Sequence, residues 1–268
     1  MLTRKPLRNI LVLLGILSAF WWSGQAAAKN SAISALAVTD SSPVIGLPFT
    51  ISQGTINETF PAVAYNPVDR EYLVVWHNVR AVDDDIYAQR ISEQGKLLSS
   101  FTVAKGNYPR VAFNPENNTY LVVYQTYKQG DYDVYGQRVN FRGLIGSEFP
   151  IAFNLKQTEH HPVVAYNTHP NHDEFLVVWV NDISIPVTKN NVEGWRVKGT
   201  QDKVNPIQTI GSRLAIADNN NYNFDPDVAY NLNMNEYMVV YTRQPGGGGS
   251  YDVYGRRVTW DGGLLPET

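Results

Sequence analysis

The chain has 268 residues, of which 43% are apolar and 18% are charged, and it contains no cysteine. This composition suits one globular domain or two small ones, and a formal net charge of −3 without a basic patch argues against nucleic acid as a partner. Without disulfides, the stability of an exported domain must come from its core.

The first 28 residues have the pattern of a secretory signal. Three basic residues precede an apolar run from Ile10 to Trp22, and the small-residue stretch QAAAK follows. The run is short for a membrane span, so we predict a signal peptide at 1–28 and no membrane span after its removal. Removing three of the 22 basic residues leaves 19 against 25 acidic ones, a net charge of −6. The predicted location is secreted, cell-surface or periplasmic.

From Phe60 onward the sequence repeats one unit four times. The prolines of its first line, at 61, 109, 162 and 226, are 48, 53 and 64 residues apart, and the added length lies in connectors. In the first copy the four lines read FPAVAYNP, EYLVVW, IYAQRI and FTV.

Each line predicts a β-strand. β-Branched and aromatic residues fill runs of five to seven residues, which Asn, Asp, Gly and Pro separate. Both faces of EYLVVW are apolar, so other sheets must cover it on both sides. Stacked four-stranded antiparallel sheets are the blades of a β-propeller, and we predict an all-β propeller of four such blades. A pair of β-sandwich domains, which would not require four equivalent units, is the alternative.

The repeat also resembles β-propeller repeats of large secreted and surface proteins of bacteria, in which lines like VAYNP…EYLVVW…DIYAQR recur. The resemblance covers Phe60 to the last residue and implies the same architecture. It implies no catalytic residues, because none is established for such repeats.

We predict one propeller domain at 29–268. Its blades are expected at about 60–103, 108–151, 161–216 and 225–268. The stretch LPFTIS at 47–52 has the form of a fourth-strand line, and the final GGLLPET has the spacing of the lead-in to one. We therefore expect residues 44–52 to complete the fourth blade and close the ring. A fragment of a larger surface propeller, with both ends open, is the competing interpretation.

One arginine and one glutamate recur at fixed positions of the unit. They are Arg90, Arg138, Arg196 and Arg257 near the end of the third line and Glu71, Glu174 and Glu236 at the start of the second, where the second copy has Thr119. In an antiparallel hairpin these positions lie nearly opposite each other, which predicts cross-strand ion pairs. A ring of arginines that binds an anion is the alternative.

Aspartates precede the third line in three copies. They are Asp83, Asp84 and Asp85, then Asp131 and Asp133, then Asp252. Such residues can hold calcium, but the Gly turn and distal Glu of a full calcium loop are missing. We therefore predict that they cap the hairpins and that no cofactor is bound, with calcium as the alternative. A strand of about 20 Å separates His160 and His161 from His169 and His172, which excludes one four-histidine site. A two-histidine surface site at His169 and His172 is the alternative that stays open, and metal ligands are otherwise unassigned.

No nucleophile motif, thiol or phosphate loop is present. If the strands alternate in direction, the second-to-third and fourth-to-first connections share one face, which is rich in Asn, Asp, Tyr and Gly. The candidate ligand-binding residues on it are Asp83, Asp85, Tyr108, Tyr132, Asp133, His160, Tyr222, Tyr251 and Asp252. This composition suits a glycan or a protein ligand, so we predict a secreted, non-catalytic binding module. An extracellular glycan-acting hydrolase with paired carboxylates is the alternative.

Overall fold

Fifteen β-strands and no helix make up the described part of the chain in a computed structural model. It describes residues 46–80, 84–154, 157–183, 189–201, 208–246 and 248–267. The predicted signal peptide, Asp83 and residues 44–45 of the predicted closing strand lie outside this set. Within it, no helix has the length and apolar character that crossing a membrane requires. The chain divides into the units Met1–Pro48 and Phe49–Thr268, and every strand belongs to the second.

The strands form four groups that follow the four sequence repeats, and we call them blades 1 to 4. Blade 1 contains β1 (Asn57–Asn66), β2 (Glu71–Val79), β3 (Asp85–Ser92) and β4 (Leu97–Lys105). Blade 2 contains β5 (Asn107–Asn114), β6 (Thr119–Lys128), β7 (Asp131–Asn140) and β8 (Gly143–Ala152). Blade 3 contains β9 (Thr158–Tyr166), β10 (Glu174–Asp182), β11 (Asn190–Lys198) and β12 (Thr209–Ala217). Blade 4 contains β13 (Tyr222–Asn231), β14 (Glu236–Gln244) and β15 (Asp252–Thr259).

Within each blade, neighbouring strands pair in chain order and antiparallel. Blade 4 has three strands and one isolated bridge, Val258 with Leu264, where a fourth strand would begin. A single parallel pair, Asn190 with Tyr222, joins blades 3 and 4 into a seven-stranded sheet. The prediction of an all-β chain built from four-stranded antiparallel sheets is confirmed.

The core lies between successive blades. In the EYLVVW line of blade 1, Trp76 points to one face, which we call the back, and Leu73 and Val75 point to the other, the front. Leu73 and Val75 pack with Tyr120 and Tyr124 from the back of blade 2. Blades 2 and 3 and blades 3 and 4 meet in the same way. The continuous apolar lines are thus explained by burial on both faces.

Each first strand has a bulge at the residue before the repeat proline. Phe60, Tyr108, His161 and Asp225 have φ angles between 49° and 53°. The pairing register shifts at the same place in all four blades. Positive φ is uncommon outside glycine, and a following proline restricts the backbone further. Four equal departures therefore form part of the repeat, and they change the direction of these side chains at one end of the sheets.

The recurring Asn of the VAYN lines lies at the end of each first strand and accepts hydrogen bonds from the turn that follows. The Asn66 Oδ1 accepts hydrogen bonds from the backbone N–H groups of Val68 and Asp69. Asn114, Asn167 and Asn231 accept from the residue two positions later in the same way. The side chain thus takes the place of a backbone acceptor and fixes the turn into the second strand.

The blades at the two ends of the series each leave one face uncovered. On the front of blade 4, Met238 is 40% exposed and Val253 is 79% exposed, whereas the equivalent Leu121 and Val134 of blade 2 are fully buried. On the back of blade 1, Tyr72 is 38% exposed, although the equivalent Tyr120 is 1% exposed. The predicted closed ring is therefore not observed.

The predicted closing strand also lies elsewhere than expected. Ile51 packs against Val74 and Trp76 on the back of blade 1. Among the described residues, no strand pairing joins Phe49–Ile51 to β15. The segment contacts the blade that follows it in sequence because its apolar side chains find an uncovered apolar face there.

Candidate functional site

The repeated arginines have a structural role in three blades. Arg90 donates to both carboxylate oxygens of Glu71, and Arg196 donates to both of Glu174. Arg257 reaches Glu236 at 3.4 Å. The predicted cross-strand ion pairs are confirmed for these six residues, which hold the second and third strands together at one end.

At the other end of the sheets, five aromatic rings form a row across blades 1 to 3. Phe60 has its ring centroid 6.2 Å from that of His77 and 4.0 Å from that of Tyr108. Tyr108 contacts His161 at 4.3 Å, and His161 contacts His160 at 4.7 Å. We call these residues the inner aromatic row. Three of its members are bulge residues, so the positive-φ backbone is what brings them into contact.

A carboxylate lies at each end of the inner aromatic row. His77 Nε2 is 3.0 Å from Asp84 Oδ2, and His160 Nε2 is 3.2 Å from Asp182 Oδ1. The Nδ1 atoms of His160 and His161 are 2.6 Å apart, so one ring must donate a proton to the other. Burial, together with His160, lowers the pKa of His161 to about 4, and this ring is therefore neutral at neutral pH.

The fourth bulge residue, Asp225, does not join the row but lies beside it. With Tyr108, Arg110 and His161 it lines a cavity of about 120 Å³. Asp225 favours the protonated form of His161, whereas Arg110 opposes it. This cavity is small, polar and adjacent to the row, and it holds little more than a few water molecules.

A larger cleft of about 330 Å³ opens between blades 1 and 2 near Asp84. Its lining consists of Arg80, Asp84, Lys105, Gly106, Asn107, Thr126, Tyr127 and Tyr132. The two tyrosine rings meet edge to face with centroids 5.4 Å apart, and the Tyr127 ring is largely exposed. The cleft thus combines planar aromatic surface with charged and amide groups.

Two carboxyl groups of this region differ in proton affinity. Burial works against the charge of Asp84, but the backbone N–H of Arg80 at 2.8 Å and the side chain of His77 outweigh it and lower its pKa. Burial and the neighbouring Asp131 raise the pKa of Asp133 to about 6. Asp133 lies directly opposite Thr126, which lines the cleft, so both belong to the back face of blade 2. Asp84 therefore lines the cleft, whereas the readily protonated Asp133 is buried next to the lining residues Thr126 and Tyr132 and does not itself line the cleft.

Four of the predicted ligand-binding residues lie in or beside these features. Tyr132 lines the cleft, and Asp133 is its buried neighbour in β7, outside the lining. Tyr108 and His160 belong to the inner aromatic row. Asp85 is instead an ion-pair partner, with Arg80 at 3.0 Å and Lys105 at 2.7 Å.

The three candidates of blade 4 form a separate group. Tyr222 pairs with Gln244 at the start of β13. Tyr251 is 61% exposed and touches Phe224, with ring centroids 5.5 Å apart. Asp252 is exposed and pairs with a residue of β14. None of the three lines the cleft between blades 1 and 2.

Other residues of the site were not among the predicted ligands. His77, Asp84 and Asp182 anchor the ends of the row, and Phe60 and His161 form part of it. For Phe60 and His161, the sequence did contain a signal: the position before each repeat proline holds a different residue type in each copy, although the rest of the line is similar. Among the described residues, no three His, Asp or Glu side chains come together to bind a metal ion.

No family model and no curated protein matches the sequence. The fold resembles the crystal structure of a "putative glycoside hydrolase" from Parabacteroides distasonis, with a TM-score of 0.50, 10% identity, and coverage of 80% of this chain and 72% of that one. The catalytic domain of a GH62 α-L-arabinofuranosidase from Coprinopsis cinerea has a TM-score of 0.48 and 10% identity, with coverage of 79% of this chain and 68% of that one. An endo-arabinase from Bacteroides thetaiotaomicron has a TM-score of 0.47 and 8% identity, with coverage of 78% of each chain.

These identities establish the fold alone, which is that of a β-propeller. The prediction of a non-catalytic binding module is corrected, because the similar structure from Parabacteroides distasonis is named as a glycoside hydrolase. The mistake arose because loop composition was the only functional signal used, and Tyr, Asn and Asp serve binding and hydrolysis of sugars equally well.

Proposed function

We propose that this protein hydrolyses glycans in the cleft between blades 1 and 2. The observation that carries the proposal is the cleft itself, in which Asp84 lies with two tyrosine rings, while Asp133 is buried next to the lining residues. The pKa of Asp84 is lowered and that of Asp133 is raised to about 6. Glycoside hydrolysis requires a carboxylic acid that gives a proton and a carboxylate that acts in ionised form. The names of the similar structures agree with this reaction class.

In the proposed reaction, Asp133 protonates the leaving glycosidic oxygen. Asp84 acts as the base: it takes a proton from a water molecule, whose oxygen bonds to the anomeric carbon as the glycosidic C–O bond breaks. The hydrogen bonds from Arg80 and His77 keep Asp84 ionised. Because burial raises its pKa, Asp133 keeps its proton to a higher pH than an exposed aspartate does, and it can act as an acid closer to neutral pH. The two groups therefore divide acid and base roles according to their surroundings.

The walls of the cleft suit a sugar. The faces of Tyr127 and Tyr132 offer planar apolar surface to the C–H groups of a pyranose or furanose ring. Asn107 and Arg80 supply donors for its hydroxyl groups. Export through the predicted signal peptide belongs to the same proposal, because polymeric glycans are found outside the cell.

The test is turnover of chromogenic aryl glycosides and soluble polysaccharides. We expect Asp84→Asn and Asp133→Asn each to lower kcat/KM by roughly 100-fold or more, and kcat/KM of the unmodified protein to fall above about pH 6 as Asp133 loses its proton. Asp252→Asn, at the position of blade 4 equivalent to Asp133, is the matched control and should keep full activity. Turnover that survives in both cleft variants, or none by the unmodified protein, would contradict the proposal.

A ring of four blades is also part of our proposal. Ile51 packs on the back of blade 1 as Ile151 of blade 2 packs with blade 3 and as Ile216 of blade 3 packs with blade 4. Phe49–Ile51 therefore packs on blade 1 as the fourth strand of one blade packs on the next. Among the described residues, the three other strands of such a blade do not lie beside it. Blade 4 has three strands and lacks a complete fourth.

Blade 4 also has room for that strand. A Cβ atom on Gly136 would lie 2.8 Å from the Phe149 ring, so this glycine accommodates the phenylalanine of its own fourth strand. Gly255 occupies the same repeat position, but the atoms nearest to its hypothetical Cβ all belong to β14, the first at 3.4 Å. We infer that Phe49 fits beside Gly255 when the ring closes.

A further inference from the structure

The aspartate that begins the third strand of blade 1 is held by two cations. Asp85 Oδ2 lies 3.0 Å from Arg80 Nε, and Asp85 Oδ1 lies 2.7 Å from Lys105 Nζ. Asp85 and Lys105 are direct partners in the pairing of β3 with β4, so strand register brings these two side chains together. Each oxygen of one carboxylate therefore binds a different cation.

The lysine of this group distinguishes blade 1 from blades 2 and 3. The residue that follows the recurring alanine of the fourth strand is a lysine in blade 1, a phenylalanine in blade 2 and an aspartate in blade 3 (Lys105, Phe153 and Asp218). Blades 2 and 3 pair their four strands in the same order without a lysine at this position. The architecture of a blade therefore does not require Lys105.

Both cations are open to solvent, whereas the carboxylate that holds them is not. The side chains of Arg80 and Lys105 are 38% and 61% exposed, and that of Asp85 is 7% exposed. Both cations line the cleft between blades 1 and 2, in which Asp84 is the third charged lining residue. Asp85 offsets part of their charge from the buried side, so the donors that a ligand meets on this wall are cationic.

The two cations are spaced for a carboxylate, because Asp85 already joins them through its two oxygens. A guanidinium group has five N–H donors, of which Arg80 directs Nε to Asp85 and one from Nη2 to the Tyr87 hydroxyl at 3.4 Å. A second carboxylate on the solvent side can therefore meet the same two cations. It displaces water from groups that are already exposed, so no buried donor has to be uncovered.

We propose that the glycan bound in this cleft carries a carboxylate, as a uronic acid does, and that Arg80 and Lys105 bind this group. The inference rests on the proposed hydrolysis in the same cleft and names its substrate class. The backbone N–H of Arg80 donates to Asp84 at 2.8 Å, so the carboxylate site adjoins the proposed base. A sugar held by its carboxylate therefore lies next to the residue that activates water.

The test compares polygalacturonate and alginate with the same polymers after carboxyl reduction, which replaces each carboxylate by a neutral CH2OH group. We expect kcat/KM for a native polymer to exceed that for its reduced form by roughly 10- to 100-fold, the range for one hydrogen bond to a charged group. Added NaCl should raise KM for the native polymer more than for the reduced one. Equal binding and turnover of the two forms, including no binding of either, would overturn the proposal.

Lysine variants locate the effect. Lys105→Met should raise KM for the native polymer by roughly 10-fold with little change in kcat, and Lys105→Arg should restore a low KM. Lys128→Met is the matched control, because Lys128 occupies the repeat position of Arg80 in blade 2, pairs with Glu148 and lies outside the cleft lining. A folded Lys105→Met variant with the KM of the unmodified protein would disprove carboxylate binding at this wall.

A binding measurement separates this inference from the proposed hydrolysis. Calorimetric titration of the Asp84→Asn variant with trigalacturonate follows binding without turnover, and Lys105→Met in the same background should weaken it by roughly 10-fold. Such binding, together with no turnover by the unmodified protein, would support the carboxylate site and contradict hydrolysis. Turnover of native and reduced polymers at equal rates would support hydrolysis and contradict the carboxylate site.

Discussion

At the scale of single residues, Glu159 shows how burial and a shared partner set proton affinity. The residue is fully buried, and its Oε1 accepts a hydrogen bond from Arg213 at 3.1 Å. Arg213 also pairs with Glu193 at 3.0 Å, so one guanidinium serves two carboxylates. The Glu159 Oε2 has no hydrogen-bond partner among the described residues. Burial, only partly offset by Arg213, raises the pKa of Glu159 to about 7.

This raised pKa predicts a pH-dependent stability. Between the usual value of 4.5 and about 7, the folded protein holds a proton on Glu159 that the unfolded chain has released. The contribution of Glu159 to the free energy of unfolding therefore falls as the pH rises through this window. Glu159→Gln removes the titrating group, so we expect stability that depends less on pH, with a gain on the order of 1 kcal/mol at pH 8 relative to pH 5.

Urea unfolding at pH 5, 6, 7 and 8 measures this effect. Glu116→Gln, which alters an exposed carboxylate, is the control and should keep the pH dependence of the unmodified protein. The same pH dependence in Glu159→Gln would mean that Glu159 is ionised in the folded state across the whole range.

At the scale of single elements, the asparagine turns both shape each blade and link it to the next. The Asn66 Oδ1 fixes its own turn through Val68 and Asp69, while its Nδ2 donates to Asn118 of blade 2 at 2.8 Å. Asn231 fixes the corresponding turn of blade 4 but is exposed and has no following blade beside it. Comparing Asn66 with Asn231 therefore distinguishes the contribution of the turn hydrogen bonds from that of the hydrogen bond between blades.

We predict that Asn66→Ala destabilises the protein more than Asn231→Ala does. Loss of the turn hydrogen bonds alone should cost about 1 kcal/mol at Asn231. At Asn66 the cost should be about 2–3 kcal/mol, because the Asn118 Oδ1 also loses its donor in a partly buried site. Urea unfolding of the two variants measures the difference, and equal losses would show that the Asn66–Asn118 bond adds nothing to stability.

The elements also show what the sequence could predict. The period and the two-sided burial of strand lines such as EYLVVW could be predicted from the residue pattern, and the ion pair of Glu71 with Arg90 could be predicted from hairpin geometry. The bulges were missed because an apolar strand pattern shows which way side chains face and does not show the backbone φ; the variable residue before each repeat proline was their one mark in the sequence. A bulge shifts the facing of every residue before it, and contacts such as His77 with Phe60 could not be derived without it.

At the scale of the whole molecule, the front of blade 4 and the back of blade 1 correspond to the two surfaces that meet at each of the three interfaces between successive blades. Blade 4 offers Met238 and Val240 where blade 2 buries Leu121 and Val123. Exposed apolar patches of this kind favour association with a matching surface. The back of blade 1 is such a surface within the same chain, and a tethered partner acts at a high effective concentration. We therefore favour closure within one chain over pairing between two.

Repeat register makes closure testable with a disulfide, because the natural sequence has no cysteine. In blades 1 and 2, Tyr87 pairs with Thr102 and Tyr135 pairs with Pro150. The same register in a closed ring would pair Tyr254 with Thr50. We expect Thr50→Cys/Tyr254→Cys to form an intrachain disulfide under mild oxidation and to raise the Tm, since the bond requires directly opposed strand positions.

The control for this experiment is Tyr135→Cys/Pro150→Cys, in which the two residues already face each other. Non-reducing electrophoresis and mass spectrometry distinguish the outcomes. An intrachain bond in both variants supports the ring, because Phe49–Ile51 then completes blade 4 of its own chain. A disulfide-linked dimer of the Thr50/Tyr254 variant would mean that the strand is exchanged between two copies. Free thiols in that variant, with a bond in the control, would refute closure at four blades and leave the front of blade 4 open to another partner.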